Sequence, residues 1–482
     1  MTVLAVSMIR KFFAWLQRVW HNLVRPKTAT FRRHLEWFFG FDFPNLQTHD
    51  KTFPGYDIAS LNRALTSFFQ EECTHAEEIG ACPIGSQTVR QLFDNPYALN
   101  SFPSPPIYER VPVNVEEEAS VVINCLYLAV LRRPAGAPAG PGQKIAVYLV
   151  TTLIIGEQFW DSPNSHNVPP QHVKLSVACR SKEEADRIFR EIEERRQRLS
   201  IFRGKVIDPA VGPLGIHTIA FRAIQPISQE DLILPEKVKN LLQSSILGFY
   251  RHSRILKDMG IELKRGILFH GPPGSGKTSI SMFLARQLPN FTICFVSGER
   301  LLYPREICRM ARYLQPTMIV FEDIDLVAQD RNANGLATVL GELMNQIDGC
   351  ETTDQVLFIM NTNSLERLEH AVKDRPGRVD QIIQIPLPSA GEREMLLRHF
   401  ARNLVLEDMD LAGFIKSTEG ATPAVLKEIV KRAAVSAIDR TSDGNGQIIV
   451  STADLMLAVE QVRALRDAEI IPGSFGFRES IG

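Results

Sequence analysis

The stretch Gly271-Pro-Pro-Gly-Ser-Gly276-Lys277-Thr278 carries the spacing G-x-x-x-x-G-K-[ST], and no other feature constrains this 482-residue chain as tightly. Glycines are needed where a loop wraps closely round phosphates with its N–H groups pointing inward, because a Cβ would obstruct the approach. Lys277 is then placed to meet the outer phosphates, and Thr278 offers a hydroxyl to Mg²⁺. An apolar run, 266–269, precedes the loop and a helical pattern, 279–288, follows it. That strand, loop, helix order puts the phosphates at a helix N-terminus, where free N–H groups and the helix dipole favour an anion. Gly271, Pro272, Pro273, Gly274, Ser275, Gly276, Lys277, Thr278 and Ser279 are therefore the expected nucleotide-binding residues, with ATP and Mg²⁺ the implied ligands.

From about residue 232 the pattern alternates helix and strand, as a parallel α/β sheet requires. Within it, Met318-Ile-Val-Phe-Glu322-Asp323-Ile-Asp325 reads as a buried strand ending in carboxylates. A phosphate-loop enzyme needs one carboxylate near Mg²⁺ and another to orient or deprotonate the attacking water. Glu322 is expected to support the metal together with Thr278, partly through water, and Asp323 to polarise the water. A third apolar strand, 356–360, ends in Asn361-Thr-Asn363, which places the Asn363 amide where it can hold that water.

In these residues the chain resembles the AAA family of the AAA+ superfamily, over about 232–462. The loop 271–278 is similar to that family's Walker A, 319–323 to its Walker B, and Asn363 to its sensor-one asparagine. Arg375-Pro-Gly-Arg378-Val-Asp380 resembles the second region of homology, which implies that Arg375 and Arg378 act as fingers on ATP held by a neighbouring subunit. The working form would then be a homo-oligomeric ring, usually a hexamer. Thr418-Glu-Gly420-Ala-Thr-Pro-Ala424 resembles the segment whose small residue, here Ala424, lies against adenine. The helical patterns 392–404, 423–440 and 452–465 would form the small lid domain. The resemblance thus implies an ATP hydrolase with an α/β core and a helical lid.

Some positions depart from the family pattern. The usual Asp-Glu pair is inverted to Glu322-Asp323, which makes the expected base one methylene shorter. The segment between Ser297-Gly298 and Met318 is short, leaving Leu302-Tyr303-Pro304 where threading members carry an aromatic pore loop. The stretch before Arg375 is about one residue longer than usual, and no H-E-x-x-H is present, so a membrane-protease version is excluded. The inverted pair and short pore segment are similar to the mitochondrial subgroup that moves the folded Rieske protein across a membrane. Members of that subgroup carry an N-terminal membrane span, whereas residues 1–26 here read as an amphipathic helix.

That helix places Met8, Phe12, Trp15, Leu16, Val19, Trp20 and Leu23 on one face and Arg10, Lys11, Arg18, His21 and Arg25 on the other. A cationic face opposite an aromatic one suits a membrane interface; a partner-packed helix and a transit peptide are the competing readings. No uncharged apolar run reaches the roughly 18 residues of a spanning helix. Net charge is −1, while residues 1–35 hold seven Lys/Arg and no Asp/Glu, so the basic character is local and a nucleic-acid partner is disfavoured. Seven cysteines with no C-x-x-C pair argue for a reducing compartment, with the cytoplasm fitting best and peripheral membrane attachment allowed. Cys73, His75 and Cys82 match no zinc spacing.

The expected organisation is a basic helical segment (1–40), an α+β N-terminal domain (41–225), the large ATPase domain (226–388), the lid (389–470) and a tail (471–482). In the N-terminal domain 55–105 reads as short proline-broken helices, followed by a long-loop hairpin (119–131 and 145–153), a strand (173–179), a charged helix (182–198) and a hairpin over 206–221. The function expected is remodelling or translocation of a protein partner. The alternatives are a nucleotide-gated scaffold with slow turnover, motivated by the short Asp323, and a nucleic-acid-remodelling ATPase.

Overall fold

The computed structural model describes residues 29–40, 43–82, 88–133, 142–153, 171–212, 215–224, 227–228, 230–325, 336–351, 354–366, 368, 379–407, 410–440 and 448–467. The expected amphipathic helix over 1–26 and the tail over 471–482 lie outside these residues. The chain divides into two compact units, Met1–Ser200 and Ile201–Gly482. Among the described residues no helix is long and apolar enough to cross a membrane.

The first unit is built on an antiparallel sheet of β1 (Gln47–Pro54), β2 (Cys73–Gly80), β3 (Ile107–Pro112), β4 (Glu118–Leu131), β5 (Lys144–Leu153) and β6 (Gln171–Cys179), in the order β1-β6-β5-β4-β2 with β3 also on β4. Residues 145–149 of β5 are all fully buried; successive strand side chains point to opposite faces, so both faces of the sheet centre are covered. One cluster packs Leu126, Leu128, Ala146 and Tyr148 against Phe31, Leu35 and Phe38 of α1 (Phe31–Phe39). Burying each such large side chain contributes about 1.5–3 kcal/mol. Helix α1 therefore belongs to this core and not to a separate segment ending at residue 40. Of two longer helices, α2 (Ile58–Glu72) and α3 (Lys182–Arg198), the second is tied to the start of the first by a buried ion pair between Arg196 and Asp57, the residue that precedes α2.

The strong apolar strands and the charged helix sit where the sequence puts them; the region read as short proline-broken helices does hold two such, Val89–Asp94 and Pro96–Leu99, but its first part is the 15-residue α2, followed by β2. Strands β1, β2 and β3 are polar (QTHDKTFP, CTHAEEIG, IYERVP) and bury few side chains fully, so they lack the apolar signature of central strands.

In the second unit β7 (Val206–Gly212), β8 (Gly215–Phe221), β9 (Arg265–His270), β10 (Thr292–Val296), β11 (Thr317–Phe321), β12 (Val356–Thr362) and β13 (Gln381–Gln384) form one sheet in the order β13-β9-β12-β11-β10-β7-β8. All neighbours are parallel except β7 and β8. The 206–221 hairpin, expected in the N-terminal domain, thus extends the sheet of the second unit, and the boundary expected at 225/226 moves to 200/201. It does so because Ile207 is fully buried and β7 pairs with the otherwise open edge of β10.

Ile267, Phe269, Met318, Val320, Leu357 and Ile359 pack against Ile280, Phe283 and Leu284 of α4 (Lys277–Gln287). Three further helices, α5 (Ala390–Phe400), α6 (Pro423–Arg440) and α7 (Thr452–Asp467), share a second core around Leu397, Leu426, Ile429, Ala433 and Val459. A capping box, with Ser389 accepting from the Glu392 N–H and Glu392 from the Ser389 N–H, starts the first of them.

Candidate active site

Parallel pairing sets the site. Register matches Phe321 with Met360, Asn361 with Phe269 and Thr362 with His270, so the ends of β9, β11 and β12 arrive together. Ligand sites of open α/β sheets form outside the carboxyl ends of such strands. Here those ends deliver the glycine loop, the acidic pair and the two asparagines.

The loop from Gly271 to Gly276 joins β9 to the first turn of α4. A Cβ on Gly271 would come within 2.3 Å of the Ile385 carbonyl oxygen, so only glycine fits this approach. Gly274 has φ +76°, and a Cβ there would meet the Ala424 Cβ at 2.8 Å. The Ala424 N–H donates to the Gly274 carbonyl at 3.2 Å, which brings the adenine-side residue expected from sequence onto the loop. Pro273 and Ser279 are exposed and Pro272 half-buried; Ser275 is buried, its Oγ without a partner among the described residues.

Lys277 is 7% exposed, and its Nζ donates to Gly271 O (2.9 Å), Pro272 O (3.1 Å) and Asn363 Oδ1 (2.8 Å). Burial lowers its pKa, opposed by the carboxylates of Asp323, Asp325 and Glu322. Burial and the Lys277 charge likewise lower the pKa of His270 at the end of β9.

Glu322 and Asp323 follow β11 directly. Glu322 Oε2 accepts from Thr278 Oγ1 (3.0 Å) and from Asn361 Nδ2 (2.9 Å), while Oε1 is buried with no hydrogen-bond partner among the described residues. Burial raises its pKa, against those two hydrogen bonds. Asp323 adopts φ +50°, and its Oδ1 accepts from Asn363 Nδ2 (3.0 Å). Asn363 therefore joins the loop lysine to the second carboxylate. Asp325, buried, accepts from Thr362 Oγ1 (3.0 Å) and the Asn363 N–H (3.1 Å) and so fixes the end of β12.

Lys277, Thr278, Glu322, Asp323 and Asn363 are brought to one place, and Asn361 and Asp325 join them without having been assigned a role from sequence. A signal for Asn361 exists: it lies at the end of the same apolar run, two residues before Asn363. Arg375 and Arg378 lie outside the described residues. Beyond them, Asp380 anchors the chain to β9, accepting from the Gly266 N–H at 2.7 Å.

The donor set fits Mg²⁺: a hydroxyl and a carboxylate with an unpartnered buried oxygen are hard oxygen ligands. No group of three His, Cys, Asp or Glu side chains suited to another metal occurs among the described residues. Beside the loop opens a cleft of about 540 Å³ lined by Leu232, Leu234, Gly276, Met282, Phe400 and Pro423. Asp231, His399, Arg402 and Lys427 line it as well, so its walls mix apolar with charged side chains, a lining that suits a ligand with both an apolar and a polar part.

The profile of the family described as "ATPase family associated with various cellular activities (AAA)" matches residues 267–387. The chain is 33% identical over 250 residues to a proteasome-activating nucleotidase of Aeropyrum pernix, covering 48% of this chain and 59% of that protein. It is 30% identical over 286 residues to a 26S proteasome regulatory subunit 8 homolog of Schizosaccharomyces pombe, covering 55% and 67%. Over 234 residues it is 31% identical to the human ATPase family gene 2 protein homolog A, covering 45% and 26%. The match thus spans less than two thirds of the first and third of these relatives.

Proposed function

The chain belongs to the AAA family of ATPases, and on that premise we propose that it hydrolyses ATP in a homo-oligomeric ring and uses the cycle to remodel or translocate a protein partner. The observation that carries the reading is the convergence of Lys277, Thr278, Glu322, Asp323 and Asn363 at one strand end. Two of the relatives are named for the proteasome, which favours a protein over a nucleic acid as the partner.

The loop N–H groups cradle the phosphates, and Lys277 brings its charge to their outer oxygens. Mg²⁺, held by Thr278 and Glu322, would neutralise charge on those oxygens. Asp323 accepts a proton from the water whose oxygen attacks the γ-phosphorus; the bond to the β-phosphate oxygen breaks, and ADP and phosphate leave. Asn363 holds the Asp323 carboxylate in place for that transfer. Arg375 and Arg378 are assigned, by the motif they occupy, to the ATP of the adjacent subunit, a contribution worth about 10³ to 10⁵ in rate where such fingers act. A second reading, a nucleotide-gated scaffold, is favoured by the short side chain of Asp323. For residues 1–26 we propose a membrane-surface role, tested by liposome flotation with and without that segment.

The main test is ATP turnover per subunit over a protein-concentration series. Wild-type activity should rise with concentration and fall at least about 100-fold in Lys277→Ala. Arg378→Ala should be as inactive, and mixing the two variants should restore some rate, because an intact lysine and an intact arginine can then share a site. Tight ATP binding without turnover would establish the scaffold instead.

A further inference from the structure

We propose that Asn361 is a positioning residue that clamps one oxygen of Glu322 so that the other is presented to Mg²⁺. The inference rests on the ATPase reading of this site. Asn361 is fully buried near the end of β12, where its Nδ2 donates to Glu322 Oε2 at 2.9 Å and to Ser281 Oγ at 3.2 Å. Ser281 Oγ in turn donates to the Lys277 carbonyl at 3.2 Å, so the amide is braced against the first turn of α4.

The chemistry explains why an amide is suited to this position. Glu322 has one more rotatable bond than an aspartate, and the last torsion of a glutamate is broad, so a single hydrogen bond leaves the carboxylate free to turn. Thr278 supplies one donor to Oε2 and Asn361 the second, both to the same oxygen. Oε1 is left buried, without a hydrogen-bond partner among the described residues, and with its lone pairs free. A lysine or arginine at 361 would cancel the carboxylate charge that the metal needs, and an acid would repel it. A neutral donor holds the group without either effect. Partners behind a metal ligand typically contribute about 10- to 100-fold in metal affinity.

The test is binding of a fluorescent, non-hydrolysable ATP analogue by the full-length chain, in EDTA and across a Mg²⁺ titration. For Asn361→Ala, affinity in EDTA should match wild type, since the loop still holds the phosphates. The Mg²⁺ needed for half-maximal enhancement should rise about 10- to 100-fold. Asn361→Leu, which keeps the volume and removes the donor, should behave the same way. In a Glu322→Asp background, where the carboxylate is withdrawn by about 1.5 Å and no longer reaches residue 361, Asn361→Ala should add little. An unmoved Mg²⁺ curve, an equal loss in EDTA for both single variants, or full additivity in the double variant would each overturn the assignment. If wild type binds no nucleotide in either buffer, the ATPase reading itself fails, and the clamp with it.

Discussion

Asp323 is the only non-glycine residue with positive φ among the described residues, and it stands at the centre of the acidic pair. Such a conformation persists only where surroundings hold it; here the Asn363 amide does so. Gly274 poses the opposite case, a positive φ that only glycine adopts without strain, pressed against Ala424. Gly274→Ala should cost about 1–2 kcal/mol in backbone strain alone and force the loop from the 422–424 segment. Nucleotide affinity, measured by titration calorimetry, should fall at least about tenfold. Gly391→Ala is the contrast: that residue lies in the first turn of α5 with open space around it, so the variant should gain about 0.5–1 kcal/mol in thermal or urea unfolding and bind nucleotide normally. Equal nucleotide affinity in both variants would refute a role for the contact between the loop and the 422–424 segment. The loop was legible in the sequence because the spacing itself states the chemistry. The link from Asn361 to Glu322 was not, because it depends on the register between β11 and β12.

At the scale of elements, the hairpin β7–β8 decides where the ATPase unit starts. Val206 and Ile207 pair with Ile293 and Cys294, the Ile293 N–H donates to Lys205 O at 2.9 Å, and Asp208 pairs with Arg300. The Arg222 guanidinium lies 4.8 Å from the centre of the Phe295 ring. A fragment beginning at residue 226 loses all of these and leaves β10 as an open edge beside exposed core, the arrangement that invites strand pairing between molecules. It should aggregate, whereas a fragment of 201–482 should elute as discrete species in size-exclusion chromatography and melt cooperatively. Equal solubility of the two would return the hairpin to the N-terminal domain. Its strands were readable from sequence; their sheet was not, since pairing partners are not encoded in local periodicity. The same limit hid β10 and β13, whose runs of five and four residues are too short for period to separate strand from helix.

For the whole molecule, the separate cores lead to separate responses. Among the described residues of the first unit, two carboxyls with raised pKa act above pH 4.5: Asp57, which burial pushes up to about 6 against the pull of Arg196, and Glu184, also raised by burial. A carboxyl raised in the folded state contributes stability that is full below its unfolded value, 3.8 for Asp57, and is lost as pH rises through the folded one. Glu71, held low by Ser67, Glu183, held low by its own backbone N–H, and Glu193, whose burial is outweighed by Arg196 and Lys51, act oppositely, but only as pH falls below 4.5. The first unit should therefore be most stable near pH 5 and weaken toward pH 7, with Asp57 accounting for at most about 3 kcal/mol. Asp57→Asn should flatten that slope. ATP with Mg²⁺ at about 100 times Kd should instead raise the ATPase unit by about 2.7 kcal/mol and leave the first unit unmoved. Differential scanning calorimetry at pH 5 and 7, with and without nucleotide, separates the two: one transition should follow pH and the other the ligand, and Lys277→Ala should abolish the second response alone. A single transition moved by both would mean that the units unfold as one body, and a nucleotide cycle in the second would then act directly on the stability of the first.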